Sequence, residues 1–523
     1  MDLSPQHHGN PSFETLPPEL QQEIFSHFNE DNKSLFAIVR VNKAWYHNCI
    51  GMLWRKSTQG RLRKISTQER LQHYASMISH WDLDDRDCPS ECFNGLDFPM
   101  LKELSFGVGT LSVVQLRHCM STELHTLQFI HCELDEVILE IAAKNCTQLR
   151  SLIIMAPTIN NITPDRFVAL LQSFSALRCL DLDRFEYSPM NRVLGWEGSS
   201  LAHLEELNWS HDWRSESETS YTLRNQFLRH CTGLRKLHLD LGDGLATDAI
   251  VLLSGHPLLE VLHIYGWLSD NHFQQRFIGK NPVAHPFPSI KELSVSGEVS
   301  TIKPLLSCLP NALISLELRV DDNSESILPT ISRMSNLVHL ELEFDSHRKL
   351  SCTDLDYISQ LSLLQRCHID WQRPLSARDR ALTSNDCPWL TDEYFKGWIS
   401  RLPLLQDLFL ELESANLTQA SLQTLADSCP SLSQCSLMWE HDLSTWTNMK
   451  APLFSNLKLL FLGNVKHYGH QESQATNDKD ASRIAKVIRG LAPKLKSLYI
   501  GQDESDKQPP HEKALVDAFE AGI

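Results

Sequence analysis

The residues able to do chemistry in this 523-residue chain are carboxylates, imidazoles and thiols, and their spacing limits what they do. Cys88-Pro-Ser-Glu-Cys92, with His80 upstream, has a loose metal-ligand spacing. It reads equally as the edge of a linker, and no metal and no other cofactor is expected. The 14 cysteines are scattered, which fits a reducing compartment better than a disulfide framework. There is no glycine loop to cradle phosphate, no His-Glu-x-x-His and no nucleophile elbow. The acids Glu103, Asp181, Asp183, Glu206, Asp240, Glu292, Glu317, Glu341, Glu343, Asp370, Asp407 and Glu411 fall at alternate positions of a recurring motif. Acid–base catalysis needs such groups to converge on one pocket. Strung along successive repeats, they make a negative field instead. Only Lys236, Arg319 and Arg366 oppose them, and His238, His263, His339 and His368 lie among them. Tyr265, Phe409, Phe461 and Tyr499 add apolar footholds. Such a face suits a basic segment of a protein, attracted at a rate that falls with salt.

The elements that place these residues follow from a motif, Leu-x-x-Leu-x-Leu or a close variant. Copies begin at residues 101, 124, 149, 177, 204, 234, 259, 290, 313, 337, 364, 405, 432, 457 and 495. Most spacings match the period of a leucine-rich repeat. The predicted fold is α/β: a solenoid of short parallel strands on a concave side and helices on a convex side. The fourth and sixth motif residues point inward by alternation, and the third, fifth and seventh outward. Thr163 with Pro164 predicts one helix start and Thr418 another. Leu134, Val137, Ile138, Ile141 and Ala142 read as one apolar stripe. Three residues before most motifs stands Phe98, Cys146, Phe174, Leu201, Cys231, Phe287, Met334, Leu361, Leu402, Cys429 or Phe454, so the cysteines there substitute for core hydrophobes. One repeat cannot bury its own apolar face, but a stack can.

Two intervals are too long for one repeat. The first holds Arg373, Arg378, Arg380 and Pro388-Trp389, and reads as a decorated loop or part of a binding rim. The second, residues 467–482, is polar and reads as a surface loop. Trp213, Trp267, Trp371 and Trp439 follow strand motifs at similar offsets. They either pack loops onto the sheet edge or form an interaction rim.

Ahead of the repeats, residues 16–54 read LPPELQQEIFSHFNEDNKSLFAIVRVNKAWYHNCIGMLW. Leu16-Pro17 opens a helix, and Leu20, Ile24 and Phe28 recur four apart along one face. A second short helix carries Leu35, Ile38 and Val41, and a third carries Trp45, Cys49 and Leu53. About forty residues of helix rarely bury enough apolar surface to stand alone. The ordered set Leu16, Pro17, Leu20, Ile24, Val41, Trp45, Leu53 and Trp54 resembles an F-box, with Asn42 where that family often has Cys or Ser. The cysteine-containing repeats resemble those of F-box proteins too. The resemblance implies the substrate-recognition subunit of an SCF-type ubiquitin ligase. Those eight residues would bind a Skp-family adaptor, and through it cullin and RING subunits. The repeats would bind a protein substrate, with Asp181, Asp183, Glu206, Asp240, Tyr265, Glu317, Glu341, Glu343, Asp370 and Phe409 on the binding face. Some F-box proteins of this build hold an inositol phosphate, which would need a Lys/Arg cluster that the inferred concave face lacks. The alternatives are an F-box scaffold outside ubiquitination, or a plain leucine-rich binding module whose helices cap the solenoid.

Net charge −17 argues against a nucleic-acid partner. No run is long and apolar enough for a membrane span, and the N-terminus lacks a signal pattern. A cytoplasmic or nuclear location is expected. The predicted division is a disordered terminus (1–11), the F-box (12–55), a helical linker or atypical first repeat (56–97), leucine-rich repeats (98–504) and a C-terminal cap or tail (505–523). Leu71, Tyr74, Met77, Ile78 and Trp81 predict an amphipathic helix in the linker.

Overall fold

A computed structural model describes residues 13, 16–28, 31–83, 95–110, 119–160, 162, 164–184, 201–210, 225, 227–240, 246–269, 286–321, 326–344, 351–371, 387–410, 417–463, 465–466, 474–501 and 510–522. The readings on Cys88, Cys92, Thr163, Trp213, Arg373, Arg378, Arg380, Glu411 and residues 1–11 lie outside these. No described helix is long and apolar enough to cross a membrane. The chain divides into two compact units, residues 1–234 and 235–523.

The first unit opens with three helices, α1 (Pro18–Ser26), α2 (Asn32–Ile38) and α3 (Lys43–Arg55). Pro17 precedes the first turn of α1, where a missing N–H costs nothing. Asp31 caps α2, accepting from the Lys33 and Ser34 amides at 3.0 and 3.2 Å. The Ser34 hydroxyl, donating to Asp31 at 2.5 Å, and then these amides hold the Asp31 carboxyl below its usual range. Asn42 caps α3 through the Trp45 amide at 2.8 Å, which gives the residue that departs from the F-box pattern a structural task.

After α3 come parallel strands Lys56–Thr58, His80–Leu83, Glu103–Phe106, Thr126–Ile130, Ser151–Met155, Cys179–Asp183 and Glu206–Trp209, each paired with the next. A three-stranded sheet of Gly109–Thr110, Cys132–Asp135 and Thr158–Asn160 lies beside them in sequence. The predicted linker thus supplies two strands without the leucine motif. The predicted amphipathic helix spans Gln68–Ala75, after a short helix Gln59–Leu62; Trp81 belongs to a strand, where it stacks on Phe98 at 4.2 Å.

The second unit stacks ten described strands in chain order: Lys236–Asp240, Val261–Leu268, Glu292–Glu298, Ser315–Asp321, His339–Phe344, Arg366–Trp371, Asp407–Leu410, Gln434–Leu437, Leu459–Leu462 and Ser497–Ile500. All fifteen motif copies become strands, one for each start position read from the sequence. In register, Leu293, Leu316, Leu340, Cys367, Leu408, Cys435, Leu460 and Leu498 form one buried ladder. Each loses nearly all contact with water, roughly 1.5–3 kcal/mol per large side chain.

The residue three before each motif closes a turn. The Leu149 amide donates to the Cys146 carbonyl at 3.0 Å, and Leu337 to Met334 in the same way. Burial pushes the Cys146 and Cys429 thiols up to about 12 and that of Cys231 higher still, as small hydrophobes rather than ligands. Convex helices are capped as the strands end. Asp135 accepts from the Ile138 amide at 2.8 Å, and Thr418 from that of Ala420 at 3.2 Å. In the stripe after Asp135, Ile138, Ile141 and Ala142 are buried but Val137 is exposed, and Leu134 belongs to the preceding strand.

Three expectations need correction. The polar segment 467–482 is not a loop throughout: from Gln474 it forms the helix Gln474–Leu491. Ala481, Ile484, Ala485, Ile488 and Leu491 are its buried stripe, so its first turns carry too few apolar residues to announce it. In the 371–400 interval, the helix Asp392–Ile399 buries Phe395, Trp398 and Ile399. Trp439, one reading of which was an interaction rim, is a core residue beside His441 and Phe395, with centroids at 5.3 and 6.4 Å. The last helix, Pro510–Glu520, buries Leu515 and Phe519. Arg489 of the preceding helix lies over the Phe519 ring at 4.7 Å, and buried Glu512 accepts from the Val465 amide at 3.1 Å.

Candidate functional site

The N-terminal helices hide few apolar residues and show many. Phe25, Val39 and Cys49 form the core, with Phe13, Ile38, Trp45, Tyr46, Met52 and Leu53 packed against it. Phe13, Phe25 and Trp45 interlock with centroids 4.8 to 5.4 Å apart. Buried Gln21 ties the start of the bundle to its end, donating to the Leu16 carbonyl at 2.9 Å and accepting from Asn48 at 2.8 Å. The neighbouring stripe, Leu20 and Ile24 of α1 with Phe28 just beyond it, is partly in water: Leu20 is 51% exposed, Ile24 40% and Phe28 38%. Phe36 and Val41 are exposed at 55% and 57%.

The eight residues predicted to bind an adaptor therefore divide. Pro17, Leu20, Ile24 and Val41 are on the surface. Leu16, half-buried, is held through its carbonyl. Trp45 and Leu53 serve the core of the bundle while remaining half-buried. Trp54 stacks on Tyr74 at 4.4 Å, and the Tyr74 hydroxyl meets that of Tyr46 at 3.2 Å. Sequence reasoning missed Phe36 as a surface residue.

The outward faces of the strands form polar rows. In the second unit the fifth motif positions align as His238, His263, Ser294, Glu317, Glu341, His368, Phe409, Ser436, Phe461 and Tyr499. Glu317 and Glu341 are therefore adjacent, as are Glu343 and Asp370 in the next row. Like charges placed opposite each other across strands repel. Arg319 lies opposite Glu343 in register. Arg366 and His368 reach the mostly buried Asp407 at 3.3 and 3.2 Å, so one predicted base is engaged within the face. Burial, aided by His238, lowers the pKa of His263, and burial, aided by Arg366, lowers that of His339. Burial, then Glu317 and Asp240, raises that of Tyr265. Exposed Tyr499 stacks on Phe461 at 4.6 Å.

In the first unit, Asp181 accepts from Asn208 at 3.0 Å, Asp183 from Ser210, and Glu103 pairs with His80 at 3.0 Å. Glu206 stands in register with Cys179. No group of three or more potential metal ligands occurs among the described residues. Among the described residues, the outward carboxylates lie in rows along successive strands and form no such cluster.

The F-box-like family pattern matches residues 13–59. No curated protein matches the chain. Among solved structures, an internalin from Listeria monocytogenes is 13% identical, with 86% of this chain and 94% of that chain covered and a TM-score of 0.36. The Rad7–Elc1 complex of yeast is 13% identical, with 94% of each chain covered and a TM-score of 0.32. A TLR13–ssRNA13 complex is 15% identical over 89% of this chain and 60% of that chain, with a TM-score of 0.42. The repeat assignment rests on strand register and not on these scores. Residues 13–59 match the F-box-like family, and the parallel strands that follow, one for each Leu-x-x-Leu-x-Leu motif, have the architecture of leucine-rich repeats.

Proposed function

We propose that the chain is a non-catalytic, substrate-recognition subunit of an SCF-type ubiquitin ligase. The F-box helices dock on a Skp-family adaptor, which connects to cullin and RING subunits, and the repeats hold a protein substrate. The observation that carries this reading is the exposed apolar stripe Leu20, Ile24 and Phe28, with Phe36 and Val41, over a bundle whose small core is already filled. Apolar surface of this kind on a small bundle marks a protein interface. On the repeats, Glu317, Glu341, Glu343 and Asp370, with Asp240, Tyr265 and Phe409, favour a basic recognition segment with an apolar anchor. Asp181, Asp183 and Glu206 extend the same chemistry to the first unit. The chain itself makes no bond. It raises the local concentration of substrate lysines near the charged conjugating enzyme. The site of action is the cytoplasm or the nucleus.

The test is reconstitution of the full chain with a Skp-family adaptor, cullin and RING subunits. Co-elution with all of them and transfer of ubiquitin to a captured protein is the expected result. Stable adaptor binding that excludes cullin would move the chain to a scaffold outside ubiquitination.

A further inference from the structure

Residues 55–64 read Arg-Lys-Ser-Thr-Gln-Gly-Arg-Leu-Arg-Lys, a cationic run with no acid in a chain of net charge −17. In the helix Gln59–Leu62, Leu62 is wholly buried, which leaves Arg61 to approach a groove of 480 Å³. The groove has an apolar part made by Phe36, Leu53, Trp54 and Ile65, and a polar part made by Asn32, Lys33, Arg61 and Lys64. No carboxylate is in its lining. Its walls are held before any partner arrives: Trp54 is stacked on Tyr74, Leu53 packs on the bundle core, and Arg61 donates to the Lys56 carbonyl at 3.4 Å. Arg61, Lys64 and Ile65 lie beyond residue 59, past the F-box-like match.

We propose that this groove seats an acidic segment of the adaptor, with an aliphatic or aromatic residue against Phe36 and Trp54 and carboxylates toward Lys33, Arg61 and Lys64. This rests on the adaptor reading above and adds the chemistry of one contact. Charge complementarity selects the occupant: three cations in a strongly acidic protein favour an anionic partner and oppose a basic one. The apolar wall selects a peptide over a phosphodiester backbone, which would leave Phe36 and Trp54 uncovered.

The experiment is calorimetric titration of the full chain with the purified adaptor, at low and high salt. The wild type is compared with K33E/R61E/K64E and with K33A/R61A/K64A. Circular dichroism melts check that both variants fold; Lys33 and Lys64 are exposed and Arg61 is half-buried. The expected result is weaker binding by about tenfold or more for the reversal, less for the alanine variant, and a flatter salt dependence in both. Wild-type binding that the folded reversal reproduces, with the same salt dependence, overturns the groove assignment and leaves the adaptor reading standing. A wild type that binds no adaptor at any salt overturns both.

Discussion

The F-box bundle and the leucine-rich repeats treat apolar surface in opposite ways. In the repeats, nearly every inward motif position is within a few per cent of complete burial, and charges and aromatics occupy the outward rows. In the bundle, Phe25, Val39 and Cys49 anchor the core, with Leu35 and Ile50 also buried, while Leu20, Ile24, Phe28, Phe36 and Val41 keep 38–57% of their surface in water. The difference follows from geometry. A stacked repeat has a neighbour to cover each inward side chain, whereas three short helices have too little interior for the apolar residues they carry. Surface that folding leaves uncovered is surface available to a partner.

That contrast can be broken at the repeats first, where the expected effect is largest. Leu318 is buried in the middle of the second unit, and Leu318→Ala is expected to cost about 2–5 kcal/mol in a urea unfolding curve. Trp45→Ala should cost about 2–4 kcal/mol because its ring interlocks with Phe13 and Phe25, and lost adaptor binding in that variant would follow from a damaged bundle. Proteolysis within residues 13–55 would register the damage.

A third effect depends on pH. His441 is buried beside Trp439 and Trp446, its Nε2 meeting the Leu437 carbonyl at 3.0 Å, and burial depresses its pKa to about 4. Unfolded, the ring takes a proton near pH 6.5; folded, it resists. The neutral ring's contribution is therefore intact above about pH 6.5 and is lost as pH falls toward 4, by about 3 kcal/mol in total. Unfolding curves at neutral and mildly acid pH measure the slope, and His441→Leu should flatten it.

Smaller effects sharpen the contrast at the surfaces. Ile24→Asp should shift the melting curve far less than a core substitution, since the side chain is 40% exposed, yet weaken adaptor binding about tenfold or more. Glu317→Lys with Glu341→Lys should leave stability within about 0.5 kcal/mol and weaken capture of a basic peptide. The loss should shrink as salt rises.

The repeats were legible because each motif leucine repeats at a fixed offset and each ladder position demands an apolar residue. Cys367 and Cys435 show that the ladder tolerates a small hydrophobe where the motif expects leucine. The bundle was legible only in part. Leu20, Ile24 and Phe28 mark an apolar helical stripe, but Gln21 and Phe25 have the same spacing, and it is the second pair that is buried. Periodicity identifies a face without saying whether protein or partner covers it. Trp45 looks like a surface anchor in sequence because its neighbours in space, Phe13 and Phe25, are distant along the chain. The outward acids were placed by alternation alone, while the engagement of Asp407 by Arg366 and His368 needed strand register. The helix Gln474–Leu491 was hidden because its first turns are polar and its stripe begins only at Ala481.

The most direct measurement is the affinity of the full chain for a Skp-family adaptor, beside a Leu20→Asp/Ile24→Asp variant, with melting curves for both. The account predicts tight binding by the wild type and at least about a tenfold loss in a variant that melts alike. A variant that melts alike and binds equally well, or a wild type that does not bind, would contradict it.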